Sequence, residues 1–446
     1  MDAIVAPAVA RSASVSEILV DRGAIDQAAA VFKRNFADET ALLMADENTW
    51  QAAGEALDGI LTSAGIATSH HILPANPRPK PDRVLAEEMR AVQADHGGTA
   101  VSVGSGVIND LVKYGAYQLE KPYFCVATAA SMDGYSSSGS PLVDKGFKKT
   151  IECVPPKAIL ADLDIIAAAP EAMAGWGYGD LAGKMPAAGD WIIADALGIE
   201  AIDSVAWPLV QDNLRDWLSD PNGIAQGNPE ATAALFAGLT IAGLAMEFVG
   251  NSRPASGADH QVAHIWEMEK LVHEGERVSH GACVSIGCMT ILRLYDWLLE
   301  QDLTDLDVDA IVAGRADLAS EDRQIEAAFP DAQIAARAKQ ELRGKFVEAD
   351  QHQARLEQIM GVWPDLKPRL RGHLMRADEM RALLSAAGAP VDSAQIGVSA
   401  TRHKATTLAA RFIRSRYTML DLLSDTGLLT KAVDAVFAPS QVKVSV

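Results

Sequence analysis

The chain has 446 residues, 49% of them hydrophobic and 22% charged. That composition excludes a disordered or fibrous protein and allows two or three domains around a large core. A net charge of −20 excludes the basic surface that nucleic-acid binding needs, so no such partner is expected. Four cysteines (Cys125, Cys153, Cys283 and Cys288) with no C-x-x-C pair exclude a disulfide scaffold at this length and point to a reducing, cytoplasmic setting.

In chain order, Met1 to Ser14 is apolar but lacks a basic leader, so it reads as a loose tail and not a signal peptide. Residues 1–38 are taken as a tail and a helix. Ala41 to Ala45 is a short apolar run, the mark of a buried strand. Asn48 and Thr49 then cap a helix to about Ser63. His70 to Leu73 is a second strand, Pro74 to Pro81 a turn, and Asp82 opens a second helix. Thr99 to Val103, Tyr123 to Ala127 and Ala158 to Leu163 complete the strands. Strand–helix alternation of this period predicts βαβ units and a parallel, Rossmann-like sheet over residues 39–169.

From Pro170 the pattern turns helical, predicting an all-α domain over 170–446. Ala231 to Val249 is long enough to span a membrane. Its Thr232, Thr240 and Glu247 and its many small residues predict a buried helix instead, with no membrane partner. Residues 301–360 are densely charged and predict a solvated helical insertion. An α/β domain followed by a helical one leaves a cleft between them, the usual place for a ligand.

Several residues fall where chemistry could be done. Gly104 and Gly106 follow the third strand and open a helix, where glycine lets a backbone approach a pyrophosphate. A simple tight turn would look the same. Asp46 ends the first strand, where a carboxylate either holds a ribose or caps the next helix. The hydroxyl-rich loop from Thr128 to Ser138, with Ser131 and Ser137, leaves the fourth strand on the ligand edge of the sheet. His260, His264, His273 and His280 lie within 21 residues, and imidazole is the commonest metal ligand among side chains. His260 and His264 are one helical turn apart, which suits two ligands or one ligand and a supporting group. Asp180 and Lys184 share a helix face. Asp180 matters if it meets the histidines, while Lys184 binds a phosphate or a relay water, or only pairs with Asp180.

Taken together the chain resembles the sn-glycerol-1-phosphate dehydrogenases, bacterial branch, within the iron-containing alcohol dehydrogenase and dehydroquinate synthase-like group. The resemblance covers roughly residues 40–300 and 395–430. It rests on the segments 45–49, 104–110, Ser131-Met132-Asp133-Gly134-Tyr135-Ser136-Ser137, Gly179-Asp180-Leu181-Ala182-Gly183-Lys184, 252–260 and Arg416-Tyr417-Thr418-Met419-Leu420-Asp421. It implies metal ligands at Asp180, His260 and His280, and substrate contact at Asp133. It implies cofactor contacts at Gly106, Asp110, Thr128, Ser131 and Ser137. Asp259 stands where such proteins usually carry Glu.

The expected protein is therefore a dehydroquinate synthase-like α/β plus all-α enzyme holding one divalent ion, Zn or Ni. It is expected to use NADH or NADPH to reduce dihydroxyacetone phosphate to sn-glycerol 1-phosphate, with Asp133 and Lys184 at the chemistry. Asp46 favours NADH by charge repulsion. A homodimer is expected. The alternatives are a glycerol or other polyol dehydrogenase and a dehydroquinate-synthase-like lyase.

Overall fold

The computed structural model describes residues 2–36, 40–144 and 147–438. Five of the six main strands are those expected: β2 (Thr40–Asp46), β3 (Ala67–Leu73), β4 (Thr99–Gly104), β5 (Tyr123–Ala127) and β8 (Ala158–Asp162). The sixth is β1 (Glu17–Asp21), inside the segment read as tail and helix. The order is β1-β8-β5-β4-β2-β3, and every neighbouring pair is parallel. Between β5 and β8 the chain makes an antiparallel hairpin, β6 (Gly139–Asp144) and β7 (Phe147–Glu152).

Both faces of the sheet are covered, which is why β4, β5 and β8 are buried throughout. Side chains alternate between two cores. Leu43, Val101, Phe124, Val126 and Leu160 join Phe32, Leu57 and Leu61 on one face. Leu42, Met44, Cys125, Ile159 and Ala161 point the other way, into a core continuous with the helical half.

The helical half packs around Pro229–Val249, which Asn228 caps through its side chain and Gly250 ends at φ 73°. This helix is mostly buried inside the protein. It reaches the β5 loop closely enough that a Cβ on Gly243 would fall 2.7 Å from the Asp133 carbonyl oxygen. Only a residue without a side chain allows that approach.

Two expectations are corrected. The N-terminus is not loose: Asp2–Val9 is helical, Val5 and Ala8 are buried, and Ser12 Oγ donates to Glu247 Oε2 at 2.6 Å. Its short apolar stretch covers the central helix, a long-range use that its local sequence does not announce. The charged segment after residue 300 forms helices Val308–Gly314, Leu318–Ala328, Ala332–Arg343 and Ala349–His373. They are not simply solvated, since Ile325, Ala338, Leu342, Leu356, Ile359 and Trp363 are buried.

Candidate metal and cofactor site

Three helices bring the expected ligands together. Asp180 lies near the end of Glu171–Ala182, His260 in the first turn of Ala258–Met268, and His280 opens His280–Leu298. One donor atom from each lies within 4.8 Å of the others. The motif's Gly183 follows from this packing, since a Cβ there would sit 2.5 Å from Asp259 Oδ2 and 2.7 Å from Val284.

The loop before the His260 helix is held by buried polar bonds. Arg253 is fully buried and donates to the carbonyls of Tyr417 (3.1 Å) and Asp190 (3.0 Å). Asp190 accepts from the Ala258 amide at 2.7 Å and from the Met419 amide at 2.9 Å. The Ser252–His260 and Arg416–Asp421 motifs are thus two sides of one braced joint.

Asp180 is completely buried. Its Oδ1 accepts from Lys184 Nζ at 2.6 Å and lies 3.6 Å from His260 Nε2. Its Oδ2 accepts from the Asp133 amide at 3.0 Å, tying the metal set to the β5 loop. Lys184, also fully buried, lies 2.7 Å from Asp133 Oδ2. Burial works against ionisation of Asp180, but Lys184 and then the histidines outweigh it and hold the carboxyl below its ordinary range. The Lys184 ammonium is held above its usual range because Asp133 and Asp180 outweigh burial.

His260 Nδ1 lies 2.7 Å from Asp259 Oδ2. Burial favours the neutral ring, yet the Asp259 charge and the Asp180 bond raise His260 to about 9. His280 Nδ1 lies 2.8 Å from Glu267 Oε1, and His264 Nδ1 lies 2.6 Å from Glu267 Oε2.

The donor chemistry fits a divalent cation. Four carboxylates (Asp133, Asp180, Asp259, Glu267) face one ammonium, a field that favours added positive charge. Both expected imidazole ligands have Nδ1 on a carboxylate, which leaves Nε2 as the coordinating nitrogen.

The expected cofactor residues gather at the carboxyl edge of the sheet. Gly104 ends β4 and Gly106 opens the helix Gly106–Gln118. The Thr128 amide donates to Gly104 O at 3.2 Å. Asp110 is buried on the same helix, and Ser131 is half-buried in the β5 loop. Ser137 Oγ donates to Gly134 O at 3.2 Å. Asp46 is at the end of β2, where its Oδ1 accepts from the Thr49 amide at 2.8 Å, so the capping role is met. Sequence reasoning missed Lys113, whose buried Nζ donates to the carbonyls of Gly134, Gly139 and Ser137 at 2.6, 3.0 and 3.2 Å. It missed Glu267 as well, whose partners lie on two helices. His273 is in the hairpin strand Val272–His273 and belongs to neither cluster of possible ligands among the described residues.

A family model described as iron-containing alcohol dehydrogenase matches residues 19–170. The glycerol-1-phosphate dehydrogenase (NAD(P)+) of Geobacillus thermodenitrificans is 30% identical over 298 residues, 66% of this chain and 73% of that protein. The Bacillus subtilis enzyme of the same name is 32% identical over 283 residues, 62% of this chain and 70% of its own. The chain belongs to the glycerol-1-phosphate dehydrogenase family.

Solved structures agree on the architecture. A probable glycerol dehydrogenase from Sinorhizobium meliloti superimposes with a TM-score of 0.59 at 15% identity, covering 95% of this chain and 98% of that one. NADH-dependent butanol dehydrogenase A from Thermotoga maritima gives 0.58 at 15%, covering 94% and 98%. At that identity they establish only the dehydroquinate synthase-like fold. As a member of the glycerol-1-phosphate dehydrogenase family the chain is an NAD(P)-dependent oxidoreductase of a metal-binding family.

Proposed function

We propose that this protein reduces dihydroxyacetone phosphate reversibly to sn-glycerol 1-phosphate with NADH or NADPH and one divalent ion, zinc or nickel. The observation that carries the reading is the convergence of Asp180, His260 and His280, bonded through Asp133 to the loop beside the cofactor edge.

Asp180, His260 and His280 hold the cation, and Asp133 faces the substrate. A divalent cation there supplies Lewis acidity toward a carbonyl and its neighbouring hydroxyl, and the nicotinamide supplies hydride. Lys184 keeps Asp180 ionised and, bonded to both, fixes Asp180 and Asp133 relative to each other. Asp259 sets the tautomer of His260. The turn at Gly104–Gly106, with Asp110, Thr128, Ser131 and Ser137, holds the cofactor against that centre, and most of the rate comes from this positioning. Asp46 keeps a negative charge at the ribose end and favours NADH over NADPH.

A phosphate needs cations in an acidic protein. Arg416 Nη1 donates to Ser256 O at 2.5 Å, and its Nη2 lies 3.1 Å from Ser252 Oγ. These are neutral partners, four and eight residues before His260. Burial, then Arg253 and Arg414, push Arg416 down to about 9, as expected where guanidinium charges crowd together. Arg414 is exposed beside it. With its four cysteines free, the enzyme is read as cytoplasmic, and it is taken to be a homodimer.

The test is NADH consumption by protein loaded with zinc or nickel. Dihydroxyacetone phosphate should exceed unphosphorylated dihydroxyacetone in kcat/KM by roughly a hundredfold, the scale of a buried charged contact. The product should be the sn-1 isomer on chiral analysis, and NADPH should be slower. Turnover of glycerol with no response to dihydroxyacetone phosphate would replace this reading with a polyol dehydrogenase.

A further inference from the structure

Two sets of possible metal donors overlap in this site. Asp180, His260 and His280 form one, and His264, Glu267 and His280 form the other, each with donor atoms within 4.8 Å. They share His280, so its two ring nitrogens decide which set can bind.

Glu267 touches both rings. Its Oε1 lies 2.8 Å from His280 Nδ1 and its Oε2 lies 2.6 Å from His264 Nδ1. His264 and Glu267 are three residues apart on one helix and so share a face, while His280 opens the next helix. The His264 and His280 rings stack 5.7 Å apart at 19°, as two rings bracketed by one carboxylate would. The His260 ring lies 5.3 Å from His280 and 5.8 Å from His264. With its side chain only 9% exposed, Glu267 makes these bonds largely away from water.

We infer that Glu267 is a positioning residue which assigns the nitrogens of His280 and denies a metal the Nδ1 of His264. An ionised carboxylate only accepts hydrogen bonds. Both Nδ1 atoms must then carry hydrogen, and both lone pairs move to Nε2. His280 is left ready to coordinate beside Asp180 and His260. The second set is disarmed, because its nitrogens nearest the carboxylate are donors. Asp259 performs the same task for His260, so each imidazole ligand has its own carboxylate. This inference rests on the metal reading above and adds which of two candidate sets is the real one.

The test uses full-length protein and Co²⁺ or Zn²⁺ in competition with a chelator. Glu267→Gln keeps the shape but offers one acceptor oxygen and one amide donor, so one imidazole must take the wrong tautomer. The expected result is a metal dissociation constant raised roughly 10–100-fold, with the melting temperature of the metal-free protein unchanged. His264→Gln should leave metal affinity and the visible spectrum of the Co²⁺ form at parent values. Parent-like affinity in Glu267→Gln overturns the inference alone. So does a loss in His264→Gln equal to that in Glu267→Gln, which would put the metal in the second set. A parent protein that binds neither cation overturns the metal reading and this inference together.

Discussion

At position 184 an ammonium is enclosed by two carboxylates, 2.6 Å from Asp180 and 2.7 Å from Asp133. A phosphate role would need an open side chain, and Lys184 has none of its surface exposed. Its structural effect is electrostatic cement. Lys184→Met should leave two like charges facing each other in a largely buried space. Removing one partner of such a cluster costs about 3–5 kcal/mol. The urea midpoint of the metal-free protein should fall accordingly, and added zinc or nickel should restore more stability to the variant than to the parent. An unchanged midpoint would show that the two carboxylates do not need the ammonium.

The same neighbourhood shows what could be read from residues alone. Asp180, His260 and His280 were legible because the motifs containing them are distinctive in order and spacing. The pairings that orient them were not. Nothing along the chain says that Glu267 meets His280, thirteen positions away, or that Lys113 reaches back to clamp residues 134–139. Those contacts exist only once helices have packed. Asp46 showed the opposite limit: the local rule for a helix cap was enough to account for its Oδ1.

At the scale of elements, strands buried on both faces were plain, since β5 is an unbroken apolar run, β8 is one up to Asp162, and Ser102 is the one polar residue inside β4. β3 was read as His70–Leu73 and extends from Ala67 to Leu73. It is an edge strand with polar residues facing water, and its first half carries no hydrophobic signal. Where helices pack on helices, a single buried polar side chain can set the stability. His403 lies against Trp266 and Phe437, with ring centroids 5.3 and 4.7 Å away. Thr290 Oγ1 donates to Ile286 O at 2.7 Å, so it accepts from His403 Nε2, also at 2.7 Å. Burial, then Arg293, lowers His403 from 6.5 to about 4. A histidine depressed in the folded state adds stability above pH 6.5 that is lost as pH falls toward 4. Each such group contributes a slope of about 1.4 kcal/mol per pH unit in that window. In His403→Gln, urea midpoints measured between pH 7 and pH 4 should fall less steeply than in the parent. Identical slopes would remove His403 from the acid response and leave His373, also lowered to about 4.

For the whole molecule, the first strand in sequence lies at one edge of the sheet, and among the described residues β8 is its one sheet neighbour. Glu17 pairs with Ala158 and Asp21 with Asp162 across some 140 residues, a separation that no local pattern reveals. This strand is suited to an edge. Glu17 bonds to Arg34 and Asn35, and Asp21 is exposed, so charge borders its ends. β8 is not suited, because Ala158 to Asp162 is buried throughout. Asp162 also accepts the Gly23 and Ile25 amides, at 3.3 and 3.0 Å, which anchors the chain as it leaves β1. Deleting residues 1–21 would make an apolar strand the new edge, and bare apolar edges pair with other chains. Deleting residues 1–11 would remove only the terminal helix and leave β1 in place. The longer deletion should aggregate on size-exclusion chromatography, and the shorter one should stay dispersed with a lowered melting temperature. A dispersed protein lacking residues 1–21 with the parent's melting temperature would show that the sheet closes at β8 without its first strand.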